Sequence, residues 1–493
     1  MTQNIGMTRY PDAQAVNNKL ELLKQMPIYS INRDYLKEIE AEYFDKKCAK
    51  SKQLTTEAKE YIPGGVQHNL AFNHPFPLAV ETAKGAYLYD VDGNKYYDFL
   101  QAGGPVILGS NPDSVRDKVI ELLMNGGPST GLFHEYEYLL AKKISECVPS
   151  VDMFRMMGSG NEAVMGATRI ARLATKKKRI DKMGGAYHGW NDQMAWSIRI
   201  PGSKWTQASG VPKKMFSYTD EFFPNDLEDL ERVLKLNQAK GGTAAVFIEA
   251  IGPESGTWAV DKDFPKGVEE LCRKYECLFV IDEVVTGFRM GLAGAQGYFG
   301  VSPDLTIFGK IMGGGYPGAG GIGGKREYMK YLSSGLDGGS KNPKALVGGT
   351  MAAAPISCVA GYHTICEIER TNACEKAAKM GDLLTDGLNK LIDKYALPFV
   401  AFNQGSVCHL DTTGCMHYFI DWSKPWQIPN VLKQTSIRKK EMEYMGAAYM
   451  SEGIVTLAGN RIYTSAAYDE EMIKDVLERF DRVFSHVEKV KVK

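Results

Sequence analysis

Two carboxylates stand side by side at Asp282 and Glu283, directly after the apolar run LFVI that begins at Leu278. Burying an unpaired carboxylate is costly, so at least one of them needs a cationic partner that the fold holds in place. A lysine, Lys310, follows the apolar run LTIFG and precedes the glycine-rich stretch IMGGGYPGAGGIGG. A lysine held in a site at this position can act as a nucleophile toward a carbonyl carbon.

A third pattern suits a phosphate group. The apolar run FRMM, which begins at residue 154, is followed by Gly158, Ser159, Gly160 and Asn161 and then by a stretch with the period of a helix. Small residues before a helix N-terminus leave backbone N–H groups and the positive end of the helix dipole free to bind a phosphate. A tight strand-to-helix turn uses the same residues, so this pattern alone leaves both interpretations open.

One cofactor has complements for all three patterns. Pyridoxal phosphate carries a phosphate for the turn from Ser159 to Asn161, an aldehyde for Lys310 and a ring nitrogen that is protonated beside Asp282. A carboxylate next to this nitrogen raises the nitrogen's pKa, so the ring keeps its proton and withdraws electrons from the substrate's Cα. We therefore predict pyridoxal 5'-phosphate as the cofactor.

The elements around these residues follow an alternating pattern. Between residues 113 and 365, helical patterns alternate with the apolar runs FRMM, AAVFIEAI, LFVIDEV and LTIFG. Strands that are apolar on both faces and separated by helices predict a parallel sheet covered by helices on both sides. Ligands bind beyond the carboxyl ends of such strands, which is where Asp282 and Lys310 stand.

We expect an α/β fold with three segments. A helical arm with a small β element occupies 1–112, a large domain with a doubly wound, mostly parallel sheet occupies 113–365, and a smaller α+β domain occupies 366–493. AYLYDVDGNKYYDFL predicts a hairpin in the first segment. In the last segment the pattern predicts helices over 367–395, 439–452 and 469–487 and strands over 406–411 and 454–458.

The composition argues against several partners. Basic and acidic residues balance at 59 each, which disfavours nucleic acid or an anionic membrane as the main partner. No run of eighteen apolar residues occurs, and the first residues are polar. Nine scattered cysteines suit free thiols, and the cysteine and histidine spacings do not match a zinc site. We expect a cytoplasmic protein without a metal.

Long motifs also occur in a particular order along the chain. They are PGGV (63–66), KGAYLYDVDGNKYYDF (84–99), PVILG (105–109), GSGNEAVMGATRIAR (158–172), YHG (187–189), DEVVTGFR (282–289), PDLTIFGKIMGGGYPGAG (303–320) and GGT (348–350). With these motifs the chain resembles the class III aminotransferases, which have fold type I of the pyridoxal phosphate enzymes. The resemblance extends most closely to the branch that includes glutamate-1-semialdehyde aminomutase.

The resemblance implies roles around the cofactor ring. Lys310 would form the Schiff base with the cofactor and later move the proton between Cα and C4′, and Asp282 would pair with the ring nitrogen. Tyr187 would stack on one ring face and Val284 would pack on the other. His188 would be a neighbour of the cofactor with a mainly structural role.

The resemblance also implies a phosphate site shared between two subunits of a homodimer. Ser159, Gly160 and Asn161 would hold the phosphate together with Thr350 of the other subunit. Asn161 departs from the residues usual at its position in the family. Two further carboxylates, those of Glu162 and Glu283, are interpreted as structural.

The cofactor alone does not fix the reaction, because transamination, intramolecular amino transfer and racemisation all use it. The aminomutase usually has an arginine shortly after PGGV, and PGGVQHNLAFN has none. A glutamate of the aminomutase is also missing where LAGNRIYTS stands. Both departures favour an aminotransferase, with an aminomutase or an amino-acid racemase as the alternative.

Arg461 in NRIYTS resembles the arginine with which ornithine aminotransferase holds a substrate α-carboxylate, and Glu254 has the spacing of the glutamate that pairs with it. We hypothesise a Glu254–Arg461 gate, with glutamate and 2-oxoglutarate as one substrate pair and pyruvate as another possible acceptor. The alternative is that Arg461 is a strand residue paired with a surface acid. The amino donor stays open; position alone suggests the pocket residues His68, Asn69, Phe72 and Tyr316.

Overall fold

A computed structural model of the protein describes residues 5–71, 73–333 and 343–490. The strands in these ranges are β1 (Tyr29–Ile31), β2 (Val80–Lys84), β3 (Tyr87–Asp90), β4 (Lys95–Asp98), β5 (Met153–Met157), β6 (Arg179–Met183), β7 (Thr219–Phe222), β8 (Thr243–Glu249), β9 (Leu278–Asp282), β10 (Leu305–Gly309), β11 (Gly320–Gly324), β12 (Val400–Gln404), β13 (Val407–Asp411), β14 (Ile454–Val455), β15 (Arg461–Tyr463) and β16 (Val487–Lys489).

The helices surround these strands. They are α1 (Ala13–Gln25), α2 (Arg33–Ile39), α3 (Asp45–Lys47), α4 (Ala49–Glu57), α5 (Asp113–Asn125), α6 (Glu135–Cys147), α7 (Gly160–Thr175), α8 (Leu227–Gln238), α9 (Pro253–Gly256), α10 (Phe264–Lys274), α11 (Gly294–Phe299), α12 (Arg326–Met329), α13 (Pro355–Thr371), α14 (Ala373–Lys394), α15 (Ile428–Ser451) and α16 (Glu470–Phe484). In the described part of the chain, no helix is both long and apolar enough to cross a membrane.

The central sheet has seven strands in the order β5-β11-β10-β9-β8-β6-β7. β10, β9, β8, β6 and β7 run parallel to one another, and β11 runs antiparallel to both of its neighbours. The four apolar runs of the sequence form β5, β8, β9 and β10. The predicted α/β fold with a mostly parallel sheet is therefore confirmed.

Helices cover both faces of this sheet, because its strands carry apolar side chains on both faces. Alternate residues of β8 enter opposite cores: Val246 and Ile248 pack in the core that includes residues of α8 and α10, and Ala245 and Phe247 pack in the core of α7. The strand is buried along its whole length. This double cover fixes β8, β9 and β10 tightly, so the residues at their carboxyl ends have little freedom.

β11 was not predicted, because its sequence GGIGG carries no apolar pattern. A Cβ on Gly320 would lie 2.0 Å from the carbonyl carbon of Ser159, and one on Gly321 would lie 2.3 Å from the ring of Phe154. Glycine lets the strand pass this close to the turn at Ser159. The glycine-rich stretch after Lys310 is thus partly a close-packed strand of the sheet.

The N-terminal and C-terminal segments form one unit. β4 pairs in parallel with β14, and β1 pairs antiparallel with β16. A shared apolar core joins Ile31 and Phe99 to Leu388 and Phe480. The predicted hairpin is present as β3 and β4. The domain boundaries at 112 and 365 stay predictions; residue 365 falls inside α13.

Three predicted elements of the C-terminal segment have the wrong bounds. The helix predicted over 439–452 is α15, which begins already at Ile428. The single helix over 367–395 is two helices, α13 and α14, because Asn372 adopts a left-handed conformation with φ 53° between them. Asparagine tolerates this conformation better than most residues, and the chain turns there. The strand over 454–458 is shorter and is limited to β14.

Candidate active site

Three strands bring the central residues of the predicted site to one edge of the sheet. β8 ends at Glu249, β9 ends at Asp282 in register with it, and Lys310 directly follows β10. Lys310 has a left-handed backbone with φ 49°. A Cβ placed on Gly104 would lie 3.7 Å from Lys310 Cδ, so the lysine side chain passes next to this glycine.

Asp282 is buried, and its two oxygen atoms accept hydrogen bonds within the protein. His188 Nδ1 lies 2.8 Å from Oδ2, and the backbone N–H of Val284 donates to Oδ1 across 3.0 Å. Burial lowers the pKa of His188, although its hydrogen bond to Asp282 acts in the opposite direction. A neutral histidine can donate a hydrogen bond from Nδ1 to this carboxylate. His188, predicted as a neighbour of the cofactor, thus contacts Asp282 directly.

Glu249 is a buried carboxylate to which the sequence analysis gave no role. Its Oε1 accepts from the backbone N–H groups of Tyr187 and Glu254, across 2.9 and 2.8 Å, and its Oε2 accepts from that of Ser255 across 2.7 Å. Burial, together with the negative charges of Asp282 and Glu254, raises its pKa to about 7. Its position after β8, equivalent to that of Asp282 after β9, is the sequence signal that could have found it.

The turn before α7 has the geometry of a capped helix start. Ser159 Oγ accepts from the backbone N–H of Glu162 across 3.2 Å, and Glu162 Oε2 accepts from that of Gly158 across 2.9 Å. A Cβ on Gly160 would lie 2.8 Å from Val284 Cγ2, so this turn packs tightly against Val284. Glu162 is structural, as expected, because it fixes the turn.

Asn161 binds another loop. Its Oδ1 accepts from the backbone N–H and the Nδ2 of Asn191, across 3.0 and 3.1 Å.

Glu283 is structural too: its carboxylate accepts from the backbone N–H groups of Ala295 and Gln296 at the start of α11. The neighbouring carboxylates at 282 and 283 therefore point to different partners.

Tyr187 and Thr350 are exposed. Tyr187 is 45% exposed, although its backbone N–H donates to Glu249. Thr350 lines a surface cleft of about 530 Å³ together with Phe133, Met157 and Val347. The structure thus groups Tyr187 with the strand ends and leaves Thr350 on an open surface of the chain.

The Glu254–Arg461 contact is present. Arg461 Nη2 lies 3.0 Å from Glu254 Oε2, and both side chains are buried. Burial raises the pKa of Glu254, but the guanidinium groups of Arg199 and Arg461 outweigh it, so the net shift is downward. The alternative that Arg461 pairs with a surface acid is wrong, because its partner is buried.

Tyr463 contacts this ion pair and, like Lys310, lies next to Gly104. Arg461 Nη1 donates to its hydroxyl group across 3.4 Å. A Cβ on Gly104 would lie 3.6 Å from its ring and 3.7 Å from Lys310 Cδ. Arg461, on β15, is therefore linked to the surroundings of Lys310 through Tyr463 and Gly104.

Comparison with known proteins agrees with this architecture. Residues 70–414 match the family of class III aminotransferases. The chain belongs to this family. A glutamate-1-semialdehyde 2,1-aminomutase from Lachnoclostridium phytofermentans is 37% identical over 368 residues, which are 73% of this chain and 83% of that protein. The predicted resemblance is confirmed.

Solved structures of a transaminase and of an aminomutase have the same fold as this class III aminotransferase. An omega-transaminase from Sphaerobacter thermophilus superposes with a TM-score of 0.76 at 26% identity and covers 90% of this chain and 99% of its own. A glutamate-1-semialdehyde aminomutase from Pseudomonas aeruginosa PAO1 has a TM-score of 0.76 at 20% identity and covers 95% and 98%, which supports the fold alone. The protein has fold type I.

The cofactor of class III aminotransferases is pyridoxal 5'-phosphate, and its prediction is confirmed by the family. The residues present fit this group. Gly160, Gly309 and Gly104 carry no side chain into the site. A Cβ on the first two would lie close to Val284, and a Cβ on Gly104 would lie close to Lys310. Asp282, held by His188, offers a fixed carboxylate at the buried end of the site.

Arg289, to which the sequence analysis gave no role, is a buried residue that binds the carbonyl oxygen of Gly104, the glycine next to Lys310. It is fully buried, and its Nη atoms donate to Gly104 O, Gln101 Oε1, Ser406 Oγ and Thr464 O. Burial lowers its pKa to about 10. Its place at the end of DEVVTGFR, close behind Asp282, was the only hint in the sequence.

The suggested pocket residues stay predictions. His68 is exposed, and its Nδ1 accepts from the backbone N–H of Leu70. Tyr316 is half-buried and packs against the apolar cluster that includes Val119 and Val359. Asn69 is exposed, and Phe72 lies outside the described residues.

Proposed function

We propose that this class III aminotransferase moves an amino group between an amino acid or amine and a keto acid, with glutamate and 2-oxoglutarate as one substrate pair. The buried ion pair of Glu254 and Arg461, in which Arg461 also contacts Tyr463, carries this proposal. An arginine's planar fork matches a carboxylate, and a glutamate that neutralises it lets one site also take substrates without that carboxylate. Such a site suits a reaction with two different substrates in turn.

The residues of the site would have different roles in this reaction. Bound pyridoxal phosphate withdraws electrons from the substrate carbon that carries the amino group. Lys310 would bond to the cofactor's aldehyde carbon and, once released, move a proton between the substrate Cα and C4′ of the cofactor. Asp282 would hold the proton of the ring nitrogen, and His188 would orient Asp282.

Other side chains would hold the cofactor in place. Tyr187 and Val284 would contact its two faces. Ser159, Gly160 and Asn161, at the start of α7, would bind its phosphate with backbone N–H groups. Thr350 of the partner subunit would complete this phosphate site.

The role of Thr350 at the partner's phosphate site requires a homodimer. The surface near Thr350 exposes Leu132, Phe133, Leu346 and Met351, all of them large and apolar. A patch of this kind is typical of a protein interface. We propose that a second copy covers it.

The nine cysteines are free thiols, which supports a location in the reducing cytoplasm.

The second candidate function is an aminomutase that returns the amino group to the same carbon skeleton. The relative from Lachnoclostridium phytofermentans, named a glutamate-1-semialdehyde 2,1-aminomutase, favours it. The missing arginine after PGGV and the arginine at position 461, where the aminomutase has a glutamate, argue against that particular substrate.

The visible spectrum of the holoenzyme tests the two functions. Amino acids and amines are added one at a time without a keto acid, and Lys310→Ala is the control. Lasting loss of the cofactor band with one equivalent of keto acid or aldehyde released establishes an aminotransferase and identifies its donor. Isomerised amino acid without released carbonyl product would establish the aminomutase instead.

A further inference from the structure

Glu254 is shared between two arginines. Its Oε2 lies 3.0 Å from Nη2 of the buried Arg461, and its Oε1 lies 3.1 Å from Nε of Arg199. The side chain of Arg199 is 52% exposed. One carboxylate thus bridges a buried cation inside the site and a second cation at its surface.

The position of Arg199 is fixed by the backbone of the loop that carries Tyr187. Arg199 has φ 65°, and its backbone N–H donates to Gly185 O across 2.8 Å. The N–H of Gly185 in turn donates to Ser197 O across 2.9 Å. The charge of Arg199 also acts on the pKa of Tyr187, opposing the rise that burial causes. Arg199 therefore stands at the edge of the cofactor site.

The backbone of Glu254 is held equally firmly. Its N–H and that of Ser255 donate to Glu249, and both residues have left-handed conformations, with φ 52° and 58°. Any movement of Glu254 away from Arg461 must therefore come from its side-chain torsions and not from the chain.

Release of Arg461 leaves Glu254 with one partner rather than none. A buried carboxylate without any cation is strongly unfavourable. Because Arg199 already binds the other oxygen, Glu254 can break its bond to Arg461 and stay paired. Arg461 is then free to bind a carboxylate of the substrate.

We propose that Arg199 is the residue that holds Glu254 when Arg461 is released, and that it thereby sets the affinity of the site for dicarboxylate substrates. This inference rests on the proposed function. Arg199 is a positioning residue, since it acts through Glu254 rather than on the substrate.

Glutarate, a dicarboxylate that cannot react, is the probe for the test. Its Kd is measured on the holoenzyme by titration calorimetry for Arg199→Gln, Arg199→Lys, Glu254→Gln and the double variant Arg199→Gln/Glu254→Gln. We expect R199Q to weaken binding at least tenfold and R199K to restore it to within about threefold. In the E254Q background, R199Q changes Kd less than twofold, because no carboxylate is left to hold.

The control is Arg232→Gln, which removes another exposed arginine that pairs with a carboxylate, Asp229. The cofactor's visible band confirms that each variant is loaded. An unchanged Kd in R199Q overturns the inference, and so does an equal loss in the E254Q background, which would make Arg199 a direct ligand. A wild type that neither binds glutarate nor uses 2-oxoglutarate would instead overturn the proposed substrate pair.

Discussion

His188 and Asp282 form a buried hydrogen bond of 2.8 Å between Nδ1 and Oδ2 at the end of β9. The histidine's Nε2 has no hydrogen-bond partner among the described residues. Its pKa is lowered by burial, so the ring stays neutral near pH 7 and does not compete as the cation that Asp282 needs. This arrangement leaves the cofactor's ring nitrogen as the cation for Asp282.

Replacement of His188 by alanine should therefore weaken the hold on Asp282. A hydrogen bond to a charged group contributes about 1.5–3 kcal/mol, so we expect kcat/KM to fall about tenfold to a hundredfold. His188→Gln keeps a donor and should recover part of the loss. Steady-state kinetics measure both variants, with His363→Asn as the control, because the ring of His363 lies against Tyr136 and Tyr362 and not against Asp282. Equal kinetics for H188A and wild type would contradict the role.

Arg461→Ala should raise the KM for the keto acid about tenfold to a hundredfold, because a charged bidentate partner of the substrate carboxylate is lost. Arg461→Lys keeps the charge without the planar fork, so its KM for the keto acid should lie between that of the wild type and that of R461A. The half-reaction with an amine that has no carboxylate should change much less. A KM that is unchanged in R461A would show that the carboxylate binds elsewhere.

Glu249 predicts a specific pH dependence of stability. Its pKa is raised from 4.5 to about 7, so the folded protein binds its proton more tightly than the unfolded chain does. The stability that this proton contributes is present below pH 4.5 and is lost as pH rises toward 7. The full shift corresponds to about 3 kcal/mol.

Glu249→Gln removes this titration. We expect the difference in unfolding free energy between wild type and E249Q to move in favour of E249Q by about 2–3 kcal/mol from pH 5 to pH 8. Thermal or denaturant unfolding at several pH values measures the difference, which cancels the other titrating groups. A difference that is constant with pH would mean that Glu249 titrates at its ordinary pKa.

The sequence predicted the strands of the large sheet well, because their apolar runs are buried on both faces and each ends in a polar residue. It placed Asp282 and Lys310 at the correct edge for the same reason. It could not predict β11, where glycines are needed for close approach to Ser159 and leave no apolar pattern.

Long-range partners were also beyond the sequence. Glu249 looks like any acid after a strand until its three backbone donors are seen. The spacing of Glu254 suggested its pairing with Arg461 only through the family resemblance, and nothing in the chain pointed to Arg199. Such contacts depend on loop conformations, including positive φ angles at Glu254 and Arg199, that local patterns do not encode.

Arg289 gives a last prediction, in which stability and activity separate. Its four hydrogen bonds go to uncharged oxygen atoms of three chain segments, 101–104, 406 and 464. Arg289→Met leaves three buried carbonyl oxygens unsatisfied, those of Gly104, Thr464 and the Gln101 side chain, at about 1–3 kcal/mol each, but also removes a buried charge, whose desolvation costs several kcal/mol. These terms oppose each other, so the melting temperature should shift by less than about 5 °C.

Activity has no such compensation. Arg289 holds the carbonyl of Gly104, and Gly104 lies against the side chain of Lys310. A displacement of about 1 Å near a reacting group can reduce the rate a hundredfold, so we expect kcat/KM of R289M to fall tenfold to a hundredfold. Arg289→Lys keeps the charge but cannot reach all four acceptors and should recover little, whereas Arg232→Met on the surface should change nothing. A loss of stability that accounts for the whole loss of activity would assign Arg289 to the fold alone.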